Sequence, residues 1–419
     1  MTENLKAIRG TKDILPDDST KWQKLEQVVH KLMNRWGYGE IRTPAFERTE
    51  LFTRSVGEES DIVSKQMYTF LDQSHTSLTL KPELTAPVMR AYLEHNLDRG
   101  GALTKLYYID ALFRQERPQK GRLRQFHQFG AEAIGSPYPE QDVEIIALAF
   151  RLMEELGVFN PQLQLNNIGS KECRNRYRKA LVEFLSPEID NLSETSRQRL
   201  ETNPLRILDT KDEGEQAILR DAPRILDFLD DADREQYECV QEGLDTLGIP
   251  YEQNDLLVRG LDYYGRTTFE ITSDALGAQN ALCGGGRYDD LLEELGGKPT
   301  PAVGFAAGIE RILLAIPKEI DSDDDKAVRV FVIAAGEKAG TTVMQTAMNL
   351  RTEGITTDFD TLQRSVKAQM REANRQGATH TVVIGEEELT AGTCQVKDFA
   401  TGEQQIVPVN ELLKYLTTD

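Results

Sequence analysis

The sequence predicts an α+β fold, with an antiparallel sheet flanked by helices and a small C-terminal α/β domain after it. Its 419 residues exceed one ordinary domain, and 39% of them are hydrophobic, which is enough to form buried cores. Strand-like runs before residue 320 lack the strict strand–helix alternation of a parallel sheet. After an acidic stretch at 321–325, strands and helices alternate, which indicates a separate α/β domain of roughly 90 residues.

The composition limits the classes of function. Asp and Glu number 69 against 49 Lys and Arg, so the net charge is −20. A chain this acidic does not attract nucleic acid over its whole surface, and RNA binding would need local basic patches. No run reaches the ~20 apolar residues of a membrane helix, and the polar residues 1–18 contain no signal core. We therefore expect a cytoplasmic protein without a membrane segment.

The cysteines and histidines indicate neither a disulfide framework nor a metal site. The four cysteines have no close pair, and the five histidines are equally dispersed. We expect reduced thiols and no metal ion held by protein ligands. The cysteines are Cys173, Cys239, Cys283 and Cys394.

The first 255 residues contain helical and strand-like patterns in turn. Apolar residues recur at helical spacing from Trp22 to Trp36, after capping residues at 17–20 and before Gly37. Residues 169–255 are highly charged with a helical pattern, which predicts a helical insertion at about 170–250. The other elements expected here are strands at 103–109 and 126–134 and a helix at 141–156.

Strand character returns after residue 255. A strand at 256–264 would pair with one at 267–272 through a tight turn at Gly265-Arg266. The acidic, apolar-free residues 321–325 predict a linker, so the expected domains are 1–322 and 327–419. The remaining predicted elements are strands at 280–283, 302–307, 328–334 and 380–384, and helices at 308–316, 341–351 and 362–376.

The stretch 113–132, FRQERPQKGRLRQFHQFGAE, predicts a strand, a basic loop and a second strand. Arginine side chains bind phosphate groups with a matching fork geometry, whereas a solvated hairpin tip tolerates the same charges. Charge and spacing leave both interpretations open. The five cations are Arg114, Arg117, Lys120, Arg122 and Arg124.

The stretch 256–270, LLVRGLDYYGRTTFE, places Arg259 between apolar residues. A buried arginine is more often held in an ion pair than aimed into a ligand cavity. Tyr263 and Tyr264 fit an ordinary sheet equally well. The glycines at 284–286 in CGGGRYD permit a close approach to a ligand or an irregular strand, and they form neither a P-loop nor a dinucleotide fingerprint.

The last domain contains a basic stripe. Four cations step by three, four and four residues, which places them on one face of the predicted helix. A solvated helix surface and a contact with RNA phosphates both explain such a stripe. The four are Arg364, Lys367, Arg371 and Arg375.

Several segments together resemble the histidyl-tRNA synthetases, a class II aminoacyl-tRNA synthetase family. LVRGLDYYGRTTFE and ALCGGGRYD resemble two signatures of the histidine enzyme and its relatives. KPELTAP at 81–87 departs from the usual Arg-Pro-Glu-Gly-Thr-Ala run at Lys81 and Leu84. The other similar segments are IRGTKDILP (8–16) for the N-terminus, IRTPAFERTELF (41–52) for motif 1, 113–132 for motif 2 and AVGFAAGIERI (302–312) for motif 3.

The resemblance implies a class II catalytic domain with a site for histidine and ATP. The residues implied for histidine are Glu83, Thr85 and Gln128 at the α-amino group, Glu132 and Tyr264 at the imidazole, and Tyr263 and Tyr288 as walls. Those implied for ATP are the catalytic Arg259 and Arg114 at the α-phosphate, Arg311 at the γ-phosphate, Phe126 on adenine and Glu116 at its amino group. Because the histidine carboxylate is already a nucleophile, no general base is expected. Mg²⁺ would accompany ATP, held largely by the phosphates.

The implied activity is histidine–tRNA ligation. ATP would activate L-histidine to histidyl-adenylate, and histidine would pass to tRNA(His) with release of AMP and pyrophosphate. Arg117, Gln119 and Lys120 would face the acceptor end, and the C-terminal domain would bind the anticodon. Motif 1 implies a homodimer.

Two other functions fit the same scaffold. One is a non-catalytic, synthetase-like regulatory subunit of ATP phosphoribosyltransferase. That relative lacks the anticodon-binding domain and has an eroded motif 2, whereas both features are recognisable in this sequence. The other is an RNA-binding sensor, which would be expected to carry fused extra domains.

Overall fold

The computed structural model describes residues 5–57, 60, 62–119, 121–277, 280–317 and 329–417. The chain divides into two compact units, Met1–Lys318 and Glu319–Asp419. The predicted linker at 321–325, the expected domain boundaries at 322 and 327, and Lys120 lie outside the described residues. Among the helices described, none combines the length and the apolar character that a membrane span requires.

The first unit is built on a large, mainly antiparallel sheet, as predicted. Its strands are β1 (Gly39–Glu40), β2 (Phe46–Arg48), β3 (Tyr68–Leu71), β4 (Ser77–Leu80), β5 (Thr104–Phe113), β6 (Gln125–Ile134), β7 (Gln162–Asn167), β8 (Tyr251–Gln253), β9 (Gly265–Thr272), β10 (Ala281–Arg287) and β11 (Ala302–Gly308). In the described residues, the large sheet has the order β1-β5-β6-β11-β10-β9-β7-β8, and β2-β4-β3 form a smaller sheet. Only the outer pairs β1–β5 and β7–β8 of the large sheet are parallel.

The helices of this unit cover the sheet and form the insertion. The predicted N-terminal helix is α1, and it buries the apolar stripe that includes Leu25, Val29 and Leu32. Between β7 and β8 the chain is helical. The helices are α1 (Pro16–Arg35), α2 (Thr49–Val56), α3 (Thr85–Glu94), α4 (Pro139–Glu155), α5 (Lys171–Leu185), α6 (Glu194–Thr202), α7 (Glu213–Leu219), α8 (Asp231–Thr246), α9 (Leu291–Glu294) and α10 (Ile309–Ala315).

The strand predicted at 256–264 is wrong, and so is the turn at Gly265-Arg266. Residues 254–264 form turns and bends, and the ladder of β9 begins at Gly265. Both edges of β9 are already paired, with β7 and β10, so a strand at 256–264 has no adjacent partner there. Its apolar side chains instead pack into the core shared with the insertion.

The second unit has its own α/β sandwich, as predicted. Its first strand, at 329–335, alternates between two layers: Val330 and Val332 pack with one cluster, and Phe331 and Ile333 with another. The strands, β12 (Arg329–Ala335), β13 (Thr356–Phe359), β14 (His380–Gly385), β15 (Thr393–Asp398) and β16 (Gln404–Pro408), have the order β13-β12-β14-β15-β16. The helices are α11 (Gly340–Thr352), α12 (Val366–Arg375), α13 (Glu386–Ala391) and α14 (Leu412–Thr417).

The prediction that Arg364 shares a helical face with the other three stripe cations is wrong. The helix α12 begins at Val366, so Arg364 precedes it. The Asp360 carboxylate accepts hydrogen bonds from the Arg364 backbone N–H at 2.8 Å and from its Nε at 2.5 Å. This local capture of the backbone competes with helix formation and delays the start of α12.

Candidate active site

A cavity of about 400 Å³ brings together residues from distant parts of the first unit. Ten of the twelve residues expected to bind histidine or ATP line it. The other two, Glu132 and Tyr288, are buried, and Thr85 of the cavity wall donates a hydrogen bond to Glu132. The ten lining residues are Glu83, Thr85, Arg114, Glu116, Phe126, Gln128, Arg259, Tyr263, Tyr264 and Arg311.

Glu132 is a buried carboxylate surrounded by hydroxyl groups. It accepts hydrogen bonds from Thr85 Oγ1 at 2.9 Å, from Tyr108 OH at 3.0 Å and from Tyr288 OH. Across the sheet it faces Gly304, where a side chain would overlap the carboxylate. Burial raises the pKa of Glu132 to about 7, against the opposing effect of the three hydroxyls.

Glu83 is a second buried carboxylate, placed at the start of α3. Its oxygens accept the backbone N–H groups of Thr85 at 2.8 Å and Ala86 at 2.9 Å. These donors belong to the first turn of a helix, where N–H groups lack partners within the helix. Burial raises the pKa of Glu83 to about 7, although the two N–H groups favour its charged form.

Three tyrosines form an aromatic cluster beside these carboxylates. The ring centroids of Tyr263 and Tyr264 are 4.7 Å apart, and those of Tyr263 and Tyr288 are 5.4 Å apart with edge-to-face geometry. All three side chains are buried. The cluster therefore gives the cavity a rigid, amphipathic wall beside two acidic groups.

Arg259 forms an ion pair and also lines the cavity. Both interpretations of its sequence, an ion-paired arginine and an arginine in a ligand cavity, therefore apply. Its Nη1 is 2.6 Å from Glu270 Oε2. The guanidinium lies against Gly284, where any side chain would overlap it. The first glycine of the CGGGRYD run is thus required by the close approach of Arg259.

Arg114 and Arg311 bring two more cations to the cavity. The guanidinium of Arg114 lies over the Phe126 ring, 5.1 Å from its centroid, and its Nε donates to the Pro82 carbonyl at 2.8 Å. Arg311 Nη1 donates to the Ala281 carbonyl at 2.8 Å. Burial lowers the pKa of each arginine, because each cation lacks part of its hydration. The two arginines make this cavity cationic.

Comparison with known proteins identifies the family. A family model described as histidyl-tRNA synthetase matches residues 10–312, and one described as an anticodon binding domain matches 329–419. The chain is 49% identical over 406 residues to a histidine–tRNA ligase of Natranaerobius thermophilus, covering 96% of each chain. It is 50% identical over 401 residues to that of Chloroherpeton thalassium, covering 95% of this chain and 94% of that one.

This chain belongs to the histidyl-tRNA synthetase family. Among solved structures, the apo histidyl-tRNA synthetase of S. aureus matches with a TM-score of 0.84 and 40% identity, covering 99% of this chain and 100% of that one. A Bacillus halodurans structure titled ATP phosphoribosyltransferase regulatory subunit/histidyl-tRNA synthetase has a TM-score of 0.66 at 22% identity, covering 92% and 99%. That second likeness concerns the fold alone.

At Lys81, where the sequence departs from the family's usual arginine, the structure has a buried ion pair. Lys81 Nζ contacts Asp110 Oδ2 at 2.5 Å and the Thr43 carbonyl at 3.1 Å, and its side chain is 1% exposed. Lys81 is not among the residues that line the cavity. The departure at Lys81 therefore concerns how motif 1 is fastened to β5, whereas Leu84, the other departure, lines the cavity.

Five charged residues of the described cavity lining were absent from the set expected of a histidyl-tRNA synthetase. Glu310 lies next to Arg311 in motif 3 and accepts from His127 Nδ1 and the His127 backbone N–H, each at 3.0 Å. Three of the five could have been found from their place in a motif. Glu310 lies in motif 3, Arg122 lies in the basic loop, and Glu270 ends the signature that contains Arg259. No sequence signal marked the two residues from the insertion. The five are Arg122, Asp209, Lys211, Glu270 and Glu310.

The thiol of Cys173 meets two carboxylates, although no pattern in the sequence indicated a cluster. One potential ligand atom each from Cys173, Asp230 and Asp233 lie within 4.8 Å of one another. Asp233 already accepts hydrogen bonds from the Ser170 backbone N–H and from Arg266 Nε, at 2.8 and 2.9 Å. These bonds give the group a structural role, which is to fasten the insertion to β9.

The residues expected to contact tRNA lie in two separate places. Gln119 forms a tight turn with Arg122 in the motif 2 loop, beside Arg117. In the second unit, Glu372 pairs with both Arg364 and Arg375. An acidic residue within the basic stripe thus neutralises part of its charge.

Proposed function

We propose that this chain is a histidine–tRNA ligase, which activates L-histidine with ATP and transfers it to tRNA(His). The observation that carries the proposal is a cavity lined by Arg114, Arg259, Tyr263 and the buried Glu83, with the buried Glu132 bonded to Thr85 of its wall. Full-length similarity to proteins named histidine–tRNA ligase supports it.

Histidine would bind at the acidic end of the cavity. We propose that Glu83, with Thr85 and Gln128, holds the α-amino group, because its buried carboxylate favours a cationic partner. Glu132 and Tyr264 would bond the imidazole, whose N–H groups can replace hydroxyl donors around Glu132. Such a pocket selects histidine because a ligand without those donors would leave buried polar groups unpaired.

ATP would occupy the cationic end. Arg259 and Arg114 would contact the α-phosphate and stabilise the charge that develops as the histidine carboxylate attacks. Arg311 would contact the γ-phosphate, Phe126 would stack on adenine, and Glu116 would accept from its amino group. Pyrophosphate then leaves, and the ribose hydroxyl of the tRNA end displaces AMP from the histidyl carbonyl.

Mg²⁺ is proposed to enter with ATP. The five carboxylates that line the cavity among the described residues already have partners, which favours coordination by phosphate oxygens and water. Bound there, Mg²⁺ would neutralise part of the triphosphate charge. The carboxylates are Glu83, Glu116, Asp209, Glu270 and Glu310, paired respectively with backbone N–H groups, Arg114 and Arg122, Lys211, Arg259, and His127.

The remaining parts of the proposal concern tRNA and assembly. Arg117, Gln119 and Lys120 would contact the acceptor end, and the second unit would bind the anticodon, as its match to an anticodon binding domain model supports. Membership of the family supports a homodimer built through motif 1 and a place in the cytoplasm. The regulatory-subunit alternative is not favoured, because full-length similarity at 49–50% identity is to ligases.

The first prediction tests adenylation. Arg259→Ala should lower histidine-dependent ATP–pyrophosphate exchange by about 10² or more, because a preorganised charge at the reacting phosphate is lost. Arg151→Ala, which removes a half-exposed arginine on α4, is the matched control and should exchange normally. A wild-type protein without histidine-dependent exchange would refute the ligase function, and a fully active Arg259→Ala would refute the role of Arg259.

A further inference from the structure

The loop 254–264, which carries Arg259, belongs to no strand ladder. Its first half is fastened by the buried Asn166, whose Nδ2 donates to the Leu257 carbonyl at 3.0 Å. Without a ladder, the position of Arg259 depends on contacts made by neighbouring elements. A displacement of about 1 Å of a catalytic group can cost up to ~10² in rate, so these contacts matter for catalysis.

One such contact comes from the helical insertion. Arg206 Nη1 donates to the backbone carbonyl of Arg259 at 3.2 Å. The next residue is Gly260, and a Cβ there would lie 3.3 Å from Arg206 Nη1, so glycine leaves room for the guanidinium. Arg206 thus fixes the backbone of Arg259 while Glu270 fixes its side chain.

A second hydrogen bond joins the residue three positions before Arg206 to the residue three positions after Arg259. Asn203 Nδ2 donates to Asp262 Oδ1 at 2.8 Å. Apolar side chains of the two segments share a core: Leu205, Ile207 and Leu208 are buried, with Leu256, Val258 and Leu261 packed against the same cluster. The segment 203–211 therefore docks along the loop through two hydrogen bonds and an apolar surface.

The same segment reaches the cavity itself. Asp209 and Lys211 of the insertion line it together with Arg259, Gly260 and Leu261. The insertion is thus continuous with the cavity wall.

We propose that Arg206 is a positioning residue for Arg259, supported by Asn203, and that the insertion is part of the adenylation machinery. This inference rests on the proposed function, because it takes Arg259 to act at the α-phosphate. It adds that the insertion and the catalytic arginine are coupled through one backbone carbonyl.

The test compares pyrophosphate exchange by single and double variants of the full chain. Arg206→Gln, whose side chain is too short for its amide N–H groups to reach the Arg259 carbonyl, should lower kcat about tenfold, and Arg206→Lys, which keeps an N–H donor of longer reach, should recover part of the loss. In the Arg259→Ala background, Arg206→Gln should cause no further loss, because a residue that acts through Arg259 has nothing left to position. Arg197→Gln is the matched control: among the described residues, this insertion arginine bonds only the carbonyls of Asp190 and Leu192, both within the insertion, and it should keep wild-type kcat.

The outcomes separate the two proposals. Full activity of Arg206→Gln, or a loss that adds to that of Arg259→Ala, would overturn the positioning role and leave the ligase function intact. An inactive wild type or an unaffected Arg259→Ala would refute the proposed function itself. If Arg206→Gln does not fold, Asn203→Ala removes the second fastening, and the same non-additivity with Arg259→Ala is expected for it.

Discussion

At the scale of single residues, two buried carboxylates set the chemistry of the cavity. Glu83 is stabilised by two backbone N–H groups and Glu132 by three hydroxyls, yet burial keeps the pKa of each near 7. A ligand that brings a cation and N–H donors would relieve this cost, whereas an apolar or anionic ligand would increase it. The part of the cavity beside Glu83 and Glu132 is therefore suited to an amino acid with a basic side chain.

The raised pKa values predict how stability depends on pH. A carboxyl whose pKa is raised in the fold stabilises the protein below its unfolded pKa of about 4.5 and loses that contribution as pH rises through 7. The ligand-free protein should therefore lose stability between pH 5 and 7.5. Glu132→Gln should reduce this loss in the free energy of unfolding by about 1 to 3 kcal/mol, because one unit of pKa shift corresponds to about 1.4 kcal/mol.

Differential scanning calorimetry of the full chain at several pH values checks this prediction through the unfolding of the first unit, Met1–Lys318. Glu242→Gln, which removes an exposed carboxylate from α8, serves as the control. A pH dependence of Glu132→Gln identical to that of the wild type would show that Glu132 does not carry the effect.

The same residue predicts substrate selectivity. Glu132→Gln should raise the KM for histidine at least tenfold and change the KM for ATP little, because its carboxylate bonds Thr85, Tyr108 and Tyr288 rather than the arginines proposed to contact phosphate. Exchange kinetics with each substrate varied in turn measure both constants. A rise confined to the KM for ATP would place histidine elsewhere.

At the scale of elements, the four cations of the basic stripe at α12 differ in whether they form ion pairs. Glu372 lies on the same helix and pairs with Arg364 and Arg375, while Lys367 and Arg371 form no ion pair among the described residues. Exposed ion pairs contribute little stability, but they reduce the charge available to a phosphate. The stripe therefore offers two unpaired cations.

This division predicts unequal effects on tRNA binding. Lys367→Gln with Arg371→Gln should weaken tRNA(His) binding and lower the log–log salt slope by roughly one unit per lost contact at most. The matched control, Arg364→Gln with Arg375→Gln, removes the same charge from paired positions and should have a smaller effect. Equal affinities and slopes in wild type and both variants would identify the stripe as a solvated surface.

At the scale of the whole molecule, the chain consists of two units with separate cores. The described core of the second unit draws only on residues 330–416, on both faces of its own sheet. All cavity residues lie between Ile62 and Arg311. The residues proposed for adenylation therefore belong to the first unit alone.

This separation predicts that the two steps of the reaction can be uncoupled. Removing Glu319–Asp419 should leave pyrophosphate exchange within a few-fold of wild type but sharply reduce charging of tRNA(His). Exchange and aminoacylation assays on one preparation provide the comparison. Undiminished charging by the truncated chain would contradict a role of the second unit in tRNA recognition.

The sequence by itself determined the features that depend on local pattern. The apolar period from Trp22 to Trp36 predicted α1, the basic loop predicted the β5–β6 hairpin, and the alternation after residue 325 predicted the second sandwich. Motifs in family order also predicted ten residues that line the cavity. Such features are predictable because side-chain periodicity and short motifs lie within one segment of chain.

The tertiary structure alone decided what depends on distant partners. Apolar spacing at 256–264 predicted a strand, but both edges of β9 were taken, so the segment became a loop held by Asn166 and Arg206. The local bonds of Asp360 delayed α12, and the fold of the insertion brought Asp209 and Lys211 to the cavity. The pairing of β7 with β9 joins residues 100 to 110 positions apart, and Arg206 bonds a carbonyl 53 positions away, so no local pattern in the sequence specifies them.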